Sequence, residues 1–256
     1  MLFRSVVCLH GFTGTLATFA AVFPSQTPYN VLGIDLPGHG ATASLIAPER
    51  YTMKQVCHDL AELTESLNLP CFCLLGYSMG GRVALYYTIY GQYEIKQLIL
   101  ESTSPGIADE TLRKERQAID QARGRVLEIA GIEVFVNDWE KLPLFQTQYL
   151  LDDNKKQAMR RMRLSQDPNK LAKALRDYGT GHMPNLWGDI KRIKSDCLIL
   201  AGELDEKFVN TAKKMAQEIK NYQIHILKNV GHTIHVEDEA EFDTIVLGFL
   251  KEEQND

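Results

Sequence analysis

The stretch that decides the fold is CFCLLGYSMGG at residues 71–81, which runs into the segment GRVALYYTIY at residues 81–90. Residues 71–77 are almost entirely apolar, as in a strand that is buried on both faces. Next comes GYSMG at residues 76–80, which matches G-x-S-x-G around Ser78 and leads into a helix-like segment. In a strand–turn–helix context, the glycines permit a strained turn that presents a serine hydroxyl as a nucleophile. A chance Gly/Ser turn is the alternative, and the flanking strand and helix argue against it.

Short apolar runs bounded by turn residues recur along the rest of the chain and predict further strands. Helical spacing of apolar residues separates them at residues 51–67, 80–90 and 209–219. Strands that alternate with helices predict an open α/β sheet of mostly parallel strands with right-handed crossovers. The predicted strands cover residues 4–9, 31–35, 71–77, 97–101, 197–201 and 223–227.

The alternation of strand and helix breaks once, between residues 104 and 187. This segment is rich in charge, has no good strand, is broken by Asp167-Pro168 and closes with Gly179, Gly181 and Pro184. We interpret it as three or four helices inserted between the fourth and fifth strands. The prediction is a helical cap at 104–187 over the carboxyl ends of the strands, where ligands bind in such sheets, and a core of 1–103 and 188–256.

Length, composition and net charge limit the classes of protein to which this chain can belong. The chain has 256 residues, 45% apolar and 24% charged, which suits one globular domain with a sizeable core. A net charge of −5 gives no indication of a nucleic-acid partner. No apolar run approaches the roughly 18–20 residues that cross a bilayer, so no membrane association is expected. The N-terminal MLFRSVVCLHG reads as a first strand and not as a leader, and we expect a soluble, cytoplasmic protein. Nothing in the sequence indicates the oligomeric state.

Cysteine usage fits a reducing compartment. The five cysteines are an odd number, and Cys8, Cys71, Cys73 and Cys197 lie inside strand-like runs. There a cysteine behaves as a small buried hydrophobic residue. Cys71 and Cys73 share one strand face, but no second pair follows at zinc spacing. We therefore expect core packing and no metal.

A serine hydroxyl is a weak nucleophile until a neighbouring base takes its proton. His232 follows the last predicted strand, where the chain order Ser–acid–His places that base. His10 and His39 could line the pocket, His58 and His225 are expected to be structural, and His182 and His235 are secondary candidates.

The imidazole in turn needs a carboxylate that fixes its tautomer and steadies its charge. Asp205 lies just after the strand CLILA and is the expected acid, with Glu203 as the rival. The backbone N–H groups of Phe12 and Met79 can converge on a developing negative charge, so they form the expected oxyanion hole. The turn DLPGHG at residues 35–40 is expected to be structural.

Arginines are abundant in the segments that should surround the pocket of this acidic protein. Arg82 lies one helical turn after Ser78, and Arg113 and Arg116 are three residues apart on one predicted helix. Arg163 ends a basic run on a later helix. Because arginine binds carboxylates in bidentate fashion, several arginines around one pocket indicate a polyanionic substrate. A solvated charged face is the preferred interpretation for Lys155, Lys156, Arg160 and Arg161.

The motif set resembles the 2-succinyl-6-hydroxy-2,4-cyclohexadiene-1-carboxylate synthases of menaquinone and phylloquinone biosynthesis, within the α/β-hydrolase superfamily. The more specific motifs are the arginine after GYSMGG, the S-P-G turn before paired arginines, W-x-x-x-P-L-F and GTG…P-x-L-W. The full set is LHGFTG, DLPGHG, GYSMGGR, ESTSPGI followed by Arg113 and Arg116, DWEKLPLF, LRDYGTGHMPNLW, GELDEKF and VGHTIHVE.

The resemblance implies a lyase that eliminates pyruvate from 2-succinyl-5-enolpyruvyl-6-hydroxy-3-cyclohexene-1-carboxylate, a substrate with three carboxylates. It implies a Ser78–Asp205–His232 triad and no metal or organic cofactor. The implied pocket residues are Tyr77, Arg82, Arg116, Trp139 and Arg163. Many α/β hydrolases begin with two further strands, so about six strands are expected here.

Two other functions remain open at this point. One is a serine hydrolase acting on esters or carbon–carbon bonds of anionic substrates with the same three residues. The pocket arginines discriminate in part, because a neutral ester needs none. The other is a ligand receptor without turnover on the same fold, since a fold does not dictate a function.

Overall fold

A single parallel sheet of six strands organises the chain, with the order β2-β1-β3-β4-β5-β6. The computed structural model describes residues 5–23 and 27–252. This sheet confirms the predicted strand number and direction, although residue 4 of the first predicted strand lies outside the described residues. The strands are β1 (Ser5–Leu9), β2 (Asn30–Ile34), β3 (Cys71–Tyr77), β4 (Glu94–Glu101), β5 (Asp196–Gly202) and β6 (Tyr222–Leu227).

Helices cover both faces of the sheet. The α-helices are α1 (Met53–Ser66), α2 (Met79–Tyr90), α3 (Glu110–Trp139), α4 (Asp153–Leu164), α5 (Pro168–Tyr178), α6 (Glu206–Glu218), α7 (Ile234–Glu237) and α8 (Glu239–Glu252). Short 3₁₀ helices lie at Leu16–Phe19, Gly40–Ser44, Pro48–Tyr51, Pro143–Leu150 and Ile190–Arg192.

Side chains alternate between two cores because successive residues of a strand point to opposite faces. Val7 and Leu9 of β1 pack with residues of α1, α2 and α6. Val6 and Cys8 face the opposite way and pack with residues of α8. The central strands are therefore apolar throughout, which explains why continuous apolar runs identified them.

The predicted strand at residues 97–101 begins three residues too late, since β4 starts at Glu94. Its first half alternates exposed and buried residues, with Glu94 and Lys96 exposed. A search for continuous apolar runs therefore misses this half, although alternation is itself a strand signal.

The segment between β4 and the 3₁₀ helix Ile190–Arg192 is helical, as the sequence indicated, and consists of α3, the 3₁₀ helix Pro143–Leu150, α4 and α5. We call this segment the cap; its boundaries at 104 and 187 stay a prediction. Aspartates begin its helices, because Asp109, Asp152 and Asp167 each accept a hydrogen bond from a backbone N–H of the first turn. The predicted break at Asp167-Pro168 is thus the start of α5, with proline at its first position.

The cap has a small core of its own, which includes Leu127, Phe135, Trp139, Phe145 and Leu175. Gly131 interrupts α3 with φ 82° and ψ 178°, a conformation open essentially to glycine alone. Residues 132–139 therefore leave the direction of the first part of α3.

The cysteines agree with the packing prediction at three of its four positions, because Cys8, Cys73 and Cys197 are buried and Cys71 is half-buried. Cys57, about which no prediction was made, is buried as well. Within the described part of the chain, no helix combines the length and the apolar character that a membrane span requires.

Candidate active site

Ser78 lies at a strained turn between β3 and α2, with φ 51° and ψ −105°. This φ is unusual for a residue with a side chain, and close packing on both sides enforces it. A Cβ on Gly80 would lie 2.0 Å from the carbonyl oxygen of Leu9, and one on Gly76 would lie 2.6 Å from that of Gly80. Both glycines of G-x-S-x-G are therefore required by backbone contact.

Hydrogen bonds tie this turn to the next strand. The backbone N–H of Ser78 donates to the carbonyl oxygen of Glu101 at 2.8 Å. The hydroxyl of Thr103 donates to the carbonyl oxygen of Ser78 at 2.7 Å. The serine backbone is thus held on a rigid element, which leaves the hydroxyl to face the cavity.

The structure brings Ser78, His232 and Asp205 together from three loops. His232 Nε2 is 3.1 Å from Ser78 Oγ, and His232 Nδ1 is 2.6 Å from Asp205 Oδ2. His232 is 1% exposed and Asp205 is 9% exposed, so water does not compete for these contacts. The Asp205 carboxylate accepts a hydrogen bond from the protonated Nδ1 of His232. The other ring nitrogen, Nε2, is therefore free to accept a hydrogen bond from the serine hydroxyl.

The rival acid, Glu203, is directed elsewhere. It is exposed, and its Oε2 accepts a hydrogen bond from the backbone N–H of Asn229 at 3.2 Å. Asp205 is therefore the carboxylate that the fold places against His232.

Glu237 holds the loop of His232 from the other side, a contact that the sequence reasoning missed. Its two carboxylate oxygens accept the backbone N–H groups of Gly231 at 2.7 Å and Thr233 at 3.0 Å. The residues before and after His232 are thus fixed by one side chain. A glutamate five residues after the histidine was the available signal.

A cavity of about 710 Å³ opens in front of Ser78 and His232, lined by both the core and the cap. Phe12 and Met79 line it next to the serine. Met79 is the first residue of α2, so its N–H has no acceptor within the helix. The other predicted residues in the lining are Tyr77, Arg82, Arg116, Trp139 and Asp205.

Several cations lie in the cavity wall. Arg82 is 7% exposed, and its buried Nε has no hydrogen-bond partner among the described residues. Burial, together with the charge of Arg116, lowers the pKa of Arg82 to about 9. A buried guanidinium without a bound carboxylate is costly, so an anionic ligand would relieve it.

Two further cations in the lining, Arg123 and Lys207, were missed by the sequence reasoning. Arg123 lies over the ring of Trp139 at 5.2 Å, and burial followed by the charge of Arg116 lowers its pKa. The same two causes lower the pKa of Lys207. Arg123 is seven residues after Arg116, two turns along one helix face, which was the available signal.

Asp120 is the buried carboxylate beside this group. It is fully buried, accepts a hydrogen bond from Arg116 Nε at 2.8 Å and lies 4.0 Å from Arg123. The lining also contains the carboxylates of Asp205 and Glu206, so the four cations Arg82, Arg116, Arg123 and Lys207 outnumber the three carboxylates by one.

Two predicted substrate-binding arginines do not line this cavity in the structure. Arg113 donates through Nε to the carbonyl oxygen of Gly181 at 3.1 Å. Three residues of helix turn it about 60° from Arg116, so it contacts the α5–β5 connection instead. Arg163 is buried behind Phe145, where its guanidinium donates to Glu140 and to Gln148 at 2.9 Å each.

The other histidines that were considered as candidates lie apart from Ser78 and Asp205. His10 and His39 are fully buried with ring centroids 5.0 Å apart, and neither lines the described cavity. His235 Nδ1 contacts the carboxylate of Glu101 at 2.8 Å. His182 is exposed.

The turn at residues 35–40 is structural, as expected, because Asp35 accepts hydrogen bonds from the backbone N–H groups of Leu16 and Ala41.

The chain is similar to known proteins in sequence and in fold. A family model described as alpha/beta hydrolase fold matches residues 4–239. A Bacillus subtilis (strain 168) protein, provisionally named 2-succinyl-6-hydroxy-2,4-cyclohexadiene-1-carboxylate synthase, is 35% identical over 96% of this chain and 90% of its own length. A protein of that name from Yersinia pseudotuberculosis serotype O:1b (strain IP 31758) is 27% identical over 96% of this chain and 87% of its own. The solved structure of MenH from S. aureus superposes with a TM-score of 0.95 and 53% identity, covering 98% of this chain and 95% of that one.

Proposed function

The chain belongs to the α/β-hydrolase fold family and, within it, to the family of 2-succinyl-6-hydroxy-2,4-cyclohexadiene-1-carboxylate synthases, and we propose that it performs their reaction. The enzyme is a lyase of menaquinone biosynthesis. Its substrate is 2-succinyl-5-enolpyruvyl-6-hydroxy-3-cyclohexene-1-carboxylate, from which it eliminates pyruvate.

The observation that carries the proposal is the combination of a serine–histidine–aspartate arrangement with a cationic wall in one cavity. The first supplies a base, and the second fits a substrate with three carboxylates. Arg82 and Arg116 are the proposed carboxylate ligands, with Arg123 beside them. Tyr77 and Trp139 line the remaining wall.

The proposed mechanism uses Ser78 as a base. His232 accepts the hydroxyl proton of Ser78, at the 3.1 Å separation of Nε2 and Oγ. The serine oxygen then removes the proton on the carbon beside the succinyl ketone, and the electron pair forms an enolate. When the enolate collapses, the carbon–oxygen bond to the enolpyruvyl group breaks, and His232 returns its proton to the departing pyruvate.

Charge develops on the ketone oxygen in the first step. The backbone N–H groups of Phe12 and Met79 are the proposed donors to that oxygen, and each contributes about 3–4 kcal/mol in comparable sites. Asp205 steadies the imidazolium that forms on His232. None of these steps calls for a metal or an organic cofactor.

Pyruvate release tests the proposal. The purified protein is incubated with the enolpyruvyl substrate, and pyruvate is followed with a coupled dehydrogenase. Ser78→Ala and His232→Ala are expected to lower turnover by about three orders of magnitude or more, because the members of such a triad act as a unit. Pyruvate release at the wild-type rate by folded Ser78→Ala protein would remove the basis of the proposal.

The identity of the acid is tested with two isosteric changes. Asp205→Asn is expected to lower kcat sharply, because the neutral amide does not stabilise the imidazolium and its NH2 group can donate to Nδ1, which selects the wrong tautomer. Glu203→Gln is the matched control, because Glu203 contacts only the backbone of Asn229 in the described contacts. A larger loss from Glu203→Gln would transfer the role to Glu203.

A further inference from the structure

A chain of buried hydrogen bonds joins the cap to the sequence neighbours of both reacting residues. Arg163 Nη2 donates to Gln148 Oε1 at 2.9 Å, and Gln148 Nε2 donates to Thr233 Oγ1 at 2.8 Å. Thr233 Oγ1 is in turn 3.2 Å from the hydroxyl of Tyr77. All four side chains are less than 9% exposed.

The ends of this chain adjoin the reacting residues in sequence. Tyr77 immediately precedes Ser78, and Thr233 immediately follows His232. Gln148 and Arg163 belong to the 3₁₀ helix Pro143–Leu150 and to α4 of the cap. The position of the cap is therefore linked to the two loops whose side chains must meet for proton transfer.

Glutamine is chemically suited to the central position. Its carbonyl oxygen must accept from a guanidinium while its amide group donates to a hydroxyl, and only one orientation of the amide satisfies both. Arg163 also donates to Glu140 at 2.9 Å, so the guanidinium is held on two sides. The network is satisfied from the cap to the core, and buried networks of this kind hold one arrangement rigidly.

A second contact docks the cap on the same loop region. Lys155 Nζ of α4 donates to the carbonyl oxygen of Val236 at 2.9 Å and pairs with Glu239 at 3.1 Å. Gln148 and Thr233 do not line the cavity in front of Ser78, whereas their neighbours Thr147 and His232 do. Any effect of Gln148 on the reaction must then pass through its neighbours.

We propose that Gln148 is a positioning residue that aligns His232 and Ser78 through Thr233 and Tyr77 when the cap is docked. The proposal rests on the proposed function for the substrate that its kinetic test uses. The hydrogen bonds from which it is argued do not depend on that function. It predicts a change in kcat and little change in KM, because the alignment of the base is altered while the cationic wall is not.

The test compares variants of matched size. Gln148→Met keeps the length but loses both hydrogen bonds, and is expected to lower kcat about tenfold with KM within threefold of wild type. Gln148→Glu can accept from Arg163 and from the Thr233 hydroxyl, and is expected to stay within threefold of wild-type kcat. Gln157→Met, at an exposed glutamine of α4, is the control and is expected to match wild type.

Thr233→Val removes the other end of the same bond. It is expected to lower kcat by a factor similar to that of Gln148→Met, and the double variant should lose no more than either alone, since residues of one network are not additive. Multiplying losses would overturn the proposal. So would wild-type kcat in Gln148→Met, a change in KM alone, or an equal loss in Gln157→Met.

A second readout is independent of the substrate. A fluorophosphonate forms a bond between its phosphorus and Ser78 Oγ as fluoride leaves, and His232 takes the serine proton. Gln148→Met is expected to slow this labelling about tenfold in folded protein, and unchanged labelling would overturn the proposal. Wild-type protein that is labelled at Ser78 but releases no pyruvate would contradict the proposed function, while the labelling rates would still decide the role of Gln148.

Discussion

At the scale of single residues, His10 has a protonation state that its partners define. Its Nδ1 lies 2.8 Å from the carbonyl oxygen of Gly11 and must donate, while its Nε2 accepts the backbone N–H of Leu36 at 3.0 Å. Only the neutral imidazole satisfies both contacts. Burial lowers the pKa of His10 to about 4.

The lowered pKa of His10 predicts how the free energy of unfolding depends on pH. An unfolded histidine has a pKa of about 6.5, so between that pH and about 4 the unfolded chain binds a proton that the folded His10 refuses. The free energy of unfolding should therefore fall as the pH is lowered through this window, by up to about 1.4 kcal/mol per pH unit. Urea unfolding at several pH values is expected to show a shallower dependence for His10→Gln than for wild type.

The exposed His182 provides the control for that experiment. His182→Gln should leave the pH dependence of unfolding unchanged, because this side chain stays in contact with water in the folded protein. Equal slopes for wild type and His10→Gln would show that the buried imidazole does not bind its proton differently on folding.

The cationic wall makes a second prediction at this scale. Arg82→Ala and Arg116→Ala are each expected to lower kcat/KM by about 100-fold, because a charge-assisted hydrogen bond contributes about 1.5–3 kcal/mol. Arg161→Ala, at an exposed position of α4, should change little. Steady-state kinetics measure kcat/KM for each variant. Similar values for Arg82→Ala, Arg116→Ala and Arg161→Ala would mean that these arginines form only a solvated face.

At the scale of secondary structure, the break in α3 determines which residues reach the cavity. Gly131 has φ 82°, and nothing lies within 4 Å of where its Cβ would be. The requirement for glycine is therefore one of backbone conformation and not of space. After the break, α3 turns so that Phe135 and Trp139 pack in the cap core, with Trp139 at the cavity.

A matched pair of substitutions tests this interpretation. Gly131→Ala is expected to lower the free energy of unfolding by about 1–3 kcal/mol, the cost of an unfavourable backbone conformation. Gly248→Ala in α8 also has open space around its Cβ, but there φ is not positive, and alanine should stabilise by up to about 1 kcal/mol. Chemical denaturation measures both, and equal shifts would contradict the conformational argument.

At the scale of the whole molecule, the core and the cap contribute different parts of one reaction site. The core carries Ser78, Asp205 and His232, while the cap carries Arg116, Arg123 and Trp139. A serine hydrolase could use the same core residues, so the distinction between lyase and hydrolase depends on what happens to the bound substrate.

The absence of a covalent intermediate is the prediction that separates these reactions. In the proposed elimination Ser78 only removes a proton, whereas a serine hydrolase passes through an acyl-enzyme. Rapid quench at saturating substrate, followed by intact-protein mass spectrometry, is expected to show unmodified enzyme. Reaction in heavy-oxygen water should leave no label in the ring product beyond exchange at the ketone. A transient adduct on Ser78 would favour the hydrolase, and binding without turnover would favour the receptor.

Local patterns were enough to predict the fold and to select Ser78 and His232, and they reduced the acid to Asp205 with Glu203 as its rival. Continuous apolar runs identify strands that are buried on both faces, and the glycines around Ser78 are required by contacts with adjacent residues and β1. The candidate acid and base follow the ends of β5 and β6, and the carboxyl ends of parallel strands meet at one edge of the sheet. Each of these patterns extends over only a few residues of the chain, so it can be recognised without knowledge of the tertiary structure.

Only the tertiary structure decided which cations reach the cavity and what holds the reacting loops. Arg113 and Arg163 looked equivalent to Arg116 in sequence, but helix rotation and the packing of α4 turn their guanidinium groups to Gly181, Glu140 and Gln148. Arg123 enters the lining, and Glu237 and Gln148 secure the loop of His232. The contacts of Arg113, Arg163 and Gln148 join residues of different elements, and their geometry depends on how whole helices are placed on the core, which no local pattern encodes.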